Sequence, residues 1–340
     1  MSAPGDGGLA ARRVVFSAVR QAGWEDVALP AQLAPHQVLV RTACSLVSAG
    51  TEMAIYSGSH IGYTIPGSTY PSMPHRPGYA AAGTVEAVGD SVTAYKVGDR
   101  IAGSWNHASH ALVDASRALA APLPDGVAFE QGALARLASI AMQGVRLARV
   151  RLGETVAVFG QGLIGQFARQ HAQLEGAART IAVDLFEPRL ELARRHGATE
   201  TVRPASADTP SGVRGADVAI EATGAPAVIN DALRSVADFG RVVLLGSPRG
   251  RVEIDPYSDI HRGGVSVIGA HARTADLPGS PHPTWTMPAQ FALCLELMRQ
   301  GRLRTDGLVS HRLPAAESLP IFEALRTRPQ EHLGVLIEWV

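Results

Sequence analysis

The segment that most constrains the fold is a glycine pattern between a predicted strand and a predicted helix. Thr155–Phe159 is a continuous apolar run, as expected for a strand buried on both faces of a parallel sheet. The sequence Gly160-Gln-Gly-Leu-Ile-Gly165 follows it, and residues 163–174 then repeat apolar side chains at helical spacing. In this context the glycines permit a tight turn, a close approach to a pyrophosphate and close packing of the helix on the sheet. The pattern predicts a dinucleotide-binding unit.

An acidic residue ends the next predicted strand, residues 180–184. There, Asp184 can accept hydrogen bonds from both hydroxyls of an adenosine ribose and would repel a 2′-phosphate. This favours NAD over NADP as the cofactor, although the nearby Arg189 keeps NADP open. The residues that we predict to bind the cofactor are Gly160, Gln161, Gly162, Leu163, Ile164, Gly165, Asp184, Arg189, Thr223 and Gly246.

Strand and helix patterns alternate regularly beyond this motif, whereas the first third of the chain is rich in short strand patterns and turns. The alternation predicts a doubly wound α/β sheet of the Rossmann type. Further helices are predicted at 129–145, 188–196, 227–237 and 288–300, and further strands at 217–221, 241–245 and 265–269. Strands predicted in the first third are residues 38–42, 81–88 and 100–105.

Composition excludes several classes of function. With 31 basic and 31 acidic side chains, the chain lacks the positive charge that drives binding to nucleic acid or to anionic membranes. Its two cysteines cannot build a disulfide framework or a cysteine-rich zinc lobe. No secretory signal or apolar run of membrane-spanning length is evident. We therefore expect a cytoplasmic protein whose partner is a small-molecule substrate.

Several short motifs make the chain resemble the medium-chain dehydrogenase/reductase superfamily. Beside the glycine pattern, they are Gly50-Thr-Glu52, Pro77-Gly-Tyr79, Val97-Gly-Asp-Arg100, Leu123-Pro-Asp-Gly126 and Glu221-Ala-Thr-Gly224. The resemblance implies a GroES-like β domain formed by residues 1–125 and 286–340 and a Rossmann domain formed by residues 126–285. It also implies an active site in the cleft between the domains and assembly into a homodimer or homotetramer. The apolar strand at 265–268 is the candidate edge for that assembly.

The positions that hold zinc in metal-dependent members carry other residues here. Ala49, Tyr79 and Ala80 stand where those members have Cys, His and Glu, and Arg136 aligns with a glutamate of the polyol dehydrogenases. Since alanine cannot bind metal and tyrosine is an uncommon zinc ligand, we predict no catalytic zinc. The residues from Ser48 to Glu52 and the later Pro77-Gly-Tyr79 are most similar to the branch of the superfamily that contains bacteriochlorophyllide a dehydrogenase and related sugar or polyol oxidoreductases.

The resemblance supplies four candidate catalytic residues. Thr51 occupies the position of a hydroxyl that touches the substrate oxygen, and Tyr79 is placed to donate or accept a proton in place of the metal. His107 is a candidate base near the mouth of the cleft, and Glu52 is another. The alternatives are a space-filling Tyr79, a hydrogen-bonding structural His107 and a structural Glu52.

Two aromatic residues are candidates for substrate binding. Trp105 could offer a flat wall to a sugar, although a buried tryptophan is the commoner outcome, and Tyr56 could line the same pocket. The leading hypothesis is a zinc-independent, NAD-dependent dehydrogenase for a secondary alcohol such as a sugar, cyclitol or polyol. The alternatives are a quinone or enone reductase, a lyase or epimerase that retains NAD, and a non-catalytic NAD sensor.

Overall fold

A computed structural model describes residues 8–116 and 119–339, which group into two compact units. The first unit comprises the chain up to Arg136 with Leu295–Arg299 and the segment from Val309 onward, and the second comprises Leu137–Cys294 and Gln300–Leu308. The divisions after Arg136 and after Cys294 fall inside helices, and the other two follow the end of a helix at Arg299 and precede a strand at Val309. The predicted domain boundaries lie at 125/126 and 285/286. A continuous helix offers no change of composition from which such a division could be predicted.

The second unit is built on a six-stranded parallel sheet with helices between its strands. Its strands are β8 (Thr155–Phe159), β9 (Arg179–Val183), β10 (Glu200–Val202), β11 (Ala216–Glu221), β12 (Val236–Leu244) and β13 (Ser266–Gly269). The spatial order is β10-β9-β8-β11-β12-β13, which is the 3-2-1-4-5-6 order of dinucleotide-binding folds. The predicted fold class is therefore confirmed, and ligands of such sheets bind at the carboxyl ends of the strands near β8 and β11.

The helices between these strands pack one apolar face against the sheet. They are α3 (Leu163–Glu175), α4 (Glu187–Arg195) and α5 (Pro226–Ser235); α2 (Phe129–Ala148) precedes β8 and α6 (Met287–Arg299) follows β13. α3 begins directly after Gly162 and ends at Gly176, whose φ of 113° closes the last turn. α5 ends two residues before its predicted end because Val236 already pairs in β12.

The first unit is a β structure with two short helices. Its strands are β1 (Leu9–Ala18), β2 (Gln21–Leu29), β3 (Gln37–Val47), β4 (Ala81–Val88), β5 (Arg100–Gly103), β6 (His110–Asp114), β7 (Ala120–Pro122), β14 (Val309–Pro314) and β15 (Gly334–Glu338). The helices are α1 (Thr51–Tyr56) and α7 (Pro320–Thr327). β1 and β2 form a separate hairpin, and the other strands form one sheet in which β3 is central.

Several of the candidate catalytic residues of the first unit lie close to the point where β3 passes into α1. β3 pairs with β4, β6 and β15, and Ser45 near its end lies between Ala81 of β4 and Ile337 of β15. Tyr56, the last residue of α1, packs with Phe16 and Phe322 in an aromatic core. No helix among the described residues is both long and apolar enough to cross a membrane.

Candidate functional site

The turn between β8 and α3 has the shape that a pyrophosphate requires. A Cβ atom at Gly165 would overlap the carbonyl oxygen of Gly160, so only glycine lets the helix approach the turn this closely. A Cβ atom at Gly162 would meet no atom within 4 Å, so that the space beside the first turn of α3 is open. No side chain caps this helix at Gly162. Its first N–H groups and positive dipole end are therefore suited to phosphate oxygens.

Asp184 lies next to this turn and is held by the backbone around it. One carboxylate oxygen accepts the N–H of Gln161 at 2.6 Å, and the other accepts the N–H of Phe186 at 2.8 Å. The guanidinium of Arg189 is 3.8 Å from Asp184 and packs on the ring of Phe186. Each carboxylate oxygen retains lone pairs for the hydroxyls of a ribose.

Several of the predicted cofactor-binding residues line a cavity of about 250 Å³ in the second unit. Gly160, Asp184, Arg189 and Thr223 line it, together with Asp231, which the sequence analysis did not single out. Val183, Val228 and Pro204 provide apolar walls. A flat base can lie between such walls while its sugar faces Asp184. The residues present therefore fit an adenine dinucleotide.

The side chain of Gln161 and the remaining cofactor candidates have structural contacts of their own. Gln161 is fully buried, and its side-chain amide donates to the carbonyl of Val158. Only the backbone of Gln161 is therefore in place to contact a cofactor at this turn. Thr223 donates both its N–H and its hydroxyl to the Glu221 carboxylate, which is buried at the end of β11. Burial raises the pKa of Glu221. Gly246 donates its N–H to the carbonyl of Glu221, which brings it to the same turn.

Three hydroxyl groups meet in the first unit where β3 passes into α1. The phenol oxygen of Tyr79 lies 2.5 Å from the hydroxyl of Ser48, and Thr51 also hydrogen-bonds to it. Burial raises the pKa of the Tyr79 phenol, whereas the hydrogen bonds from Ser48 and Thr51 act in the opposite direction. Tyr79 is therefore a protonated donor at neutral pH with hydroxyl groups in place to stabilise its anion.

A continuous chain of buried hydrogen bonds lies behind these hydroxyls. His107 Nε2 is 2.8 Å from Glu52 Oε2, and His107 Nδ1 is 2.8 Å from the Ser45 hydroxyl. The indole N–H of Trp339 donates to that hydroxyl, and the other oxygen of Glu52 accepts the N–H of Ser48. With a proton on Nε2, His107 donates to Glu52 while Nδ1 accepts the Ser45 hydroxyl, so that both ring nitrogens have a partner. The chain thus connects the buried imidazole to the backbone that carries Ser48.

His107 and Glu52 are buried too deeply to meet a substrate. Their side chains are 0% and 2% exposed, and both ring nitrogens of His107 are engaged. The prediction that His107 lies near the mouth of a cleft therefore disagrees with its position. Its contacts are those of the hydrogen-bonding alternative, because His107 lies in the loop between β5 and β6 with its ring held between Ser45 of β3 and Glu52 of α1.

A glycine fixes Tyr79 beside the segment that carries His107. A Cβ atom at Gly78 would overlap the backbone nitrogen of His107, and the φ of Gly78 is 106°. The N–H of His107 donates to the carbonyl of Pro77 at 3.0 Å, and the Asn106 amide donates to the carbonyl of Gly78. This close pairing holds the phenol of Tyr79 at the hydroxyl cluster.

The positions that would hold zinc do not form a zinc site. Zinc takes four sulfur, nitrogen or oxygen donors, whereas Ala49 and Ala80 have none. Arg136 adds a cation, its guanidinium carbon lying 5.8 Å from the centre of the Tyr79 ring. Across residues 8–116 and 119–339, no three side chains of His, Cys, Asp or Glu are grouped to hold a metal ion. The donors at this position do not fit zinc.

The two predicted substrate-binding aromatics lie in the cores of the first unit. Trp105 is 7% exposed, and its indole N–H donates to the Thr42 hydroxyl at 3.1 Å. Tyr56 is 5% exposed and packs against Phe16 and Phe322. Both side chains are thus engaged in packing, and their contacts give no support to a substrate-binding role.

Three residues of the hydrogen-bonded cluster were not among the sequence candidates. Ser48 stands one residue before the Ala49 position and could have been found by asking which hydroxyl faces Tyr79. No local sequence pattern pointed to Ser45 or Trp339, because the two residues are brought together only by the pairing of β3 with β15. That pairing brings together residues almost three hundred positions apart in the chain.

Comparison with known proteins agrees with this architecture. The family model of the alcohol dehydrogenase GroES-like domain matches residues 34–148, and that of zinc-binding dehydrogenases matches residues 164–281. D-guloside 3-dehydrogenase from Escherichia coli (strain K12) is 30% identical over 240 residues, 68% of each chain. D-xylulose reductase from Saccharomyces cerevisiae is 25% identical over 361 residues, covering 92% of this chain and 93% of that one.

A solved structure extends the likeness over almost the whole chain. The crystal structure of 2R,3R-butanediol dehydrogenase from Bacillus subtilis matches with a TM-score of 0.77 and 25% identity, covering 96% of this chain and 99% of that chain. The fold, the site and these relatives define an oxidoreductase. The chain belongs to the zinc-type medium-chain dehydrogenase/reductase superfamily.

Proposed function

We propose that this protein is an NAD-dependent dehydrogenase that interconverts a secondary alcohol and its ketone without a catalytic zinc ion. The observation that carries the proposal is the phenol of Tyr79, hydrogen-bonded to Ser48, where zinc-dependent members place a metal ligand. The substrate is a sugar, cyclitol or polyol. Relatives named for D-guloside and D-xylulose support this class of substrate.

The second unit has the residues to hold the cofactor. The backbone from Gly160 to Gly165 faces the pyrophosphate, and Asp184 accepts the two hydroxyls of the adenosine ribose. Because Arg189 already lies 3.8 Å from Asp184, its charge is partly engaged by the carboxylate. This arrangement supports NAD rather than NADP. When bound, the nicotinamide supplies the chemistry of hydride transfer.

Tyr79 donates or accepts the proton of the reaction, depending on its direction. In the reductive direction its phenol donates a proton to the carbonyl oxygen while that carbon gains a hydride, which yields the alcohol and a phenolate. The hydroxyls of Ser48 and Thr51 then stabilise the phenolate by hydrogen bonding. In the oxidative direction the phenolate accepts the hydroxyl proton. This is general acid–base catalysis by a group that needs no metal.

The buried chain behind the cluster positions these hydroxyls. Glu52 accepts the N–H of Ser48 and is itself held by His107. The side chain of His107 is held in turn by the Ser45 hydroxyl, which accepts the indole N–H of Trp339. Glu52 and His107 therefore act as positioning residues, since a small displacement of Ser48 would misplace the phenol.

The test is NADH formation by the purified protein with a panel of sugars, polyols and cyclic secondary alcohols, with a metal chelator present throughout. Tyr79→Phe should lower kcat by about a hundredfold or more, because it removes the proton donor but keeps the ring. The matched control is Tyr95→Phe, whose hydroxyl donates only to the carbonyl of Ala120 in the same unit. That variant should keep wild-type turnover.

Other outcomes would redirect the proposal. If no alcohol is oxidised but an enone or quinone is reduced, the protein belongs with the double-bond reductases. If NAD stays bound through purification and no net redox change occurs, a lyase or epimerase cycle is indicated. Binding of NAD without any turnover would identify a sensor, and full activity of Tyr79→Phe would overturn the assigned acid.

A further inference from the structure

A guanidinium group lies against the ring of the proposed proton donor. Arg136 belongs to α2 and to the first of the two compact units. Its guanidinium carbon is 5.8 Å from the centre of the Tyr79 ring, and its side chain is partly buried. Because the guanidinium group of arginine is not deprotonated in proteins, a permanent positive charge stands beside the phenol.

The groups around this phenol differ in their effect on its ionisation. Burial has the largest effect on Tyr79 and raises its pKa, and the nearby Glu52 carboxylate raises it as well. The hydroxyls of Ser48 and Thr51 lower the pKa by hydrogen bonding, and Arg136 lowers it by its charge. Of these groups, Arg136 is therefore the one that brings a charge opposite to that of a phenolate.

A further titratable side chain, the phenol of Tyr70, also interacts with Tyr79. Burial raises the pKa of Tyr70, and the neighbouring Tyr79 and Glu52 raise it further. Tyr70 thus keeps its proton at neutral pH and contributes no charge. Loss of the proton from Tyr79 therefore leaves a negative charge that Glu52 opposes and Arg136 attracts.

We infer that Arg136 stabilises the phenolate that Tyr79 becomes when it gives up its proton in ketone reduction. The inference rests on the proposed dehydrogenase reaction and adds a residue to it. In that step the O–H bond of the phenol breaks and a new O–H bond forms at the carbonyl oxygen, whose carbon gains a hydride. The electron pair of the broken bond remains on the phenol, beside Arg136. Arg136 thus acts through Tyr79, as a positioning residue.

The arrangement provides this charge without any rearrangement. The face of an aromatic ring attracts a cation, so the guanidinium is held beside Tyr79 before the proton leaves. A charge that is already in place when a negative charge develops costs no reorganisation during the reaction. In a partly buried site the attraction between opposite charges is stronger than in water. We expect it to change the acid dissociation constant of the phenol by about tenfold.

The test measures the ionisation of position 79 directly and needs neither substrate nor cofactor. Difluorotyrosine, whose phenol is more acidic than that of tyrosine, is incorporated in place of Tyr79 in the full-length protein, and fluorine NMR follows its titration. In Arg136→Gln the midpoint should rise by about one pH unit, whereas Arg136→Lys should shift it by less than about half of that. Arg12→Gln is the matched control, since Arg12 lies 6.0 Å from the ring of Trp24 in the same unit. It should leave the midpoint unchanged.

Turnover of the protein with its natural Tyr79 supplies the second readout. In ketone reduction, Arg136→Gln should lower kcat about tenfold and change KM by less than about threefold, because the phenolate forms only as the reaction proceeds. Arg136→Lys should recover most of the lost rate. A purely structural contact would leave the ionisation midpoint of position 79 unmoved.

An unchanged midpoint in a folded Arg136→Gln variant would overturn the inference. So would a change confined to KM, which would make Arg136 a binding residue for an anionic group of the substrate. If the midpoint shifts but the wild type turns over neither alcohol nor ketone, the proposed function fails, whereas the stabilisation of the phenolate by Arg136 stands. If Arg136→Gln does not fold, as judged by circular dichroism, Arg136→Met gives the same comparison.

Discussion

Tyr79 is one of three residues, with Ala49 and Ala80, that stand at the positions of zinc ligands in metal-dependent members. The sequence placed a phenol where related enzymes have a metal ligand, and the structure brings it to Ser48 and Thr51. Its environment is apolar enough to raise the pKa of the phenol, so the proton is retained at neutral pH. The side chain is consequently better suited to protonate a ketone than to deprotonate an alcohol.

The pH dependence of ketone reduction tests this assignment. The protonated phenol is the active form, so kcat/KM should stay level through neutral pH and decline only above about pH 10, the ordinary pKa of tyrosine. Tyr95→Phe should keep this profile and Tyr79→Phe should lose the alkaline decline along with most activity. Rates measured with saturating NADH provide the profile. A decline centred near pH 7 would assign the proton to another group.

Asp184 should determine the choice of cofactor. In Asp184→Ser the two ribose hydroxyls lose their charged acceptor, which should weaken binding of NAD by about tenfold or more. Binding of NADP should improve, because the repulsion of its 2′-phosphate is gone and Arg189 is released. Fluorescence titration with the reduced cofactors measures both. Glu187→Gln, at the start of α4, should leave the preference unchanged, and an unaltered preference in Asp184→Ser would contradict the account.

The buried His107 should matter for stability. Its removal in His107→Ala leaves the Glu52 carboxylate buried without its main donor, at a cost of about 3 kcal/mol in the free energy of unfolding. His110→Ala, which removes a partly exposed contact with Glu86, should cost less than about 1 kcal/mol. Denaturant unfolding of both variants provides the comparison. If the two variants lost similar amounts of unfolding free energy, the buried chain of hydrogen bonds around His107 would contribute little to stability.

At the scale of elements, the β1–β2 hairpin depends on a shared carboxylate. Glu25 on β2 accepts from Arg13 on β1 and from Arg76 in the loop before Tyr79. These guanidinium groups lower the pKa of Glu25 to about 2, Arg76 having the largest effect. The ion pairs join the hairpin to the segment that carries the phenol.

The sign of the pH effect follows from this lowered pKa. An ionised Glu25 stabilises the folded state above its unfolded pKa of about 4.5, and the contribution disappears as the pH falls towards 2. Glu25→Gln should therefore lower the melting temperature at pH 7 by about 1–3 °C and have no effect near pH 2. The exposed Glu317→Gln is the control. A shift of the melting temperature that persists undiminished at low pH would contradict this assignment.

The elements differed in how far the sequence could predict them. Most strands and helices of the second unit were predicted to within a few residues, because their strands are continuous apolar runs closed by glycine or an acidic residue. The three-residue β10 was not predicted, and β12 begins at Val236 rather than at residue 241. β3 was predicted to end at Thr42, yet it continues to Val47 because buried Thr42 and Ser45 find partners on other elements. Likewise, the Glu52–His107 contact depends on pairing between distant segments, which no local pattern reveals.

At the scale of the whole molecule, the parallel sheet has an edge that suits self-assembly. β13 pairs only with β12 among the described strands, and Val267 on it is 42% exposed. An unpaired edge strand with exposed apolar side chains is a template for pairing with another chain. We propose that two copies join their sheets at β13.

A charge on this edge should separate the copies. Val267→Lys should convert a dimer or tetramer into smaller species in light scattering coupled to size-exclusion chromatography, because a lysine resists edge-to-edge pairing. Val97→Lys is the control, an exposed valine of the first unit. It should leave the mass unchanged. A wild type that is monomeric at micromolar concentration would contradict the proposal.

The central claim is that Tyr79 replaces the metal, and it is tested most directly by turnover of metal-free protein. Metal content should be determined by mass spectrometry after exhaustive chelation, and NADH formation should then be followed with the alcohol that gives the highest rate. The account predicts full activity at less than about one zinc per hundred chains, with loss of activity in Tyr79→Phe. Activity that vanishes on chelation and returns with added zinc would contradict it.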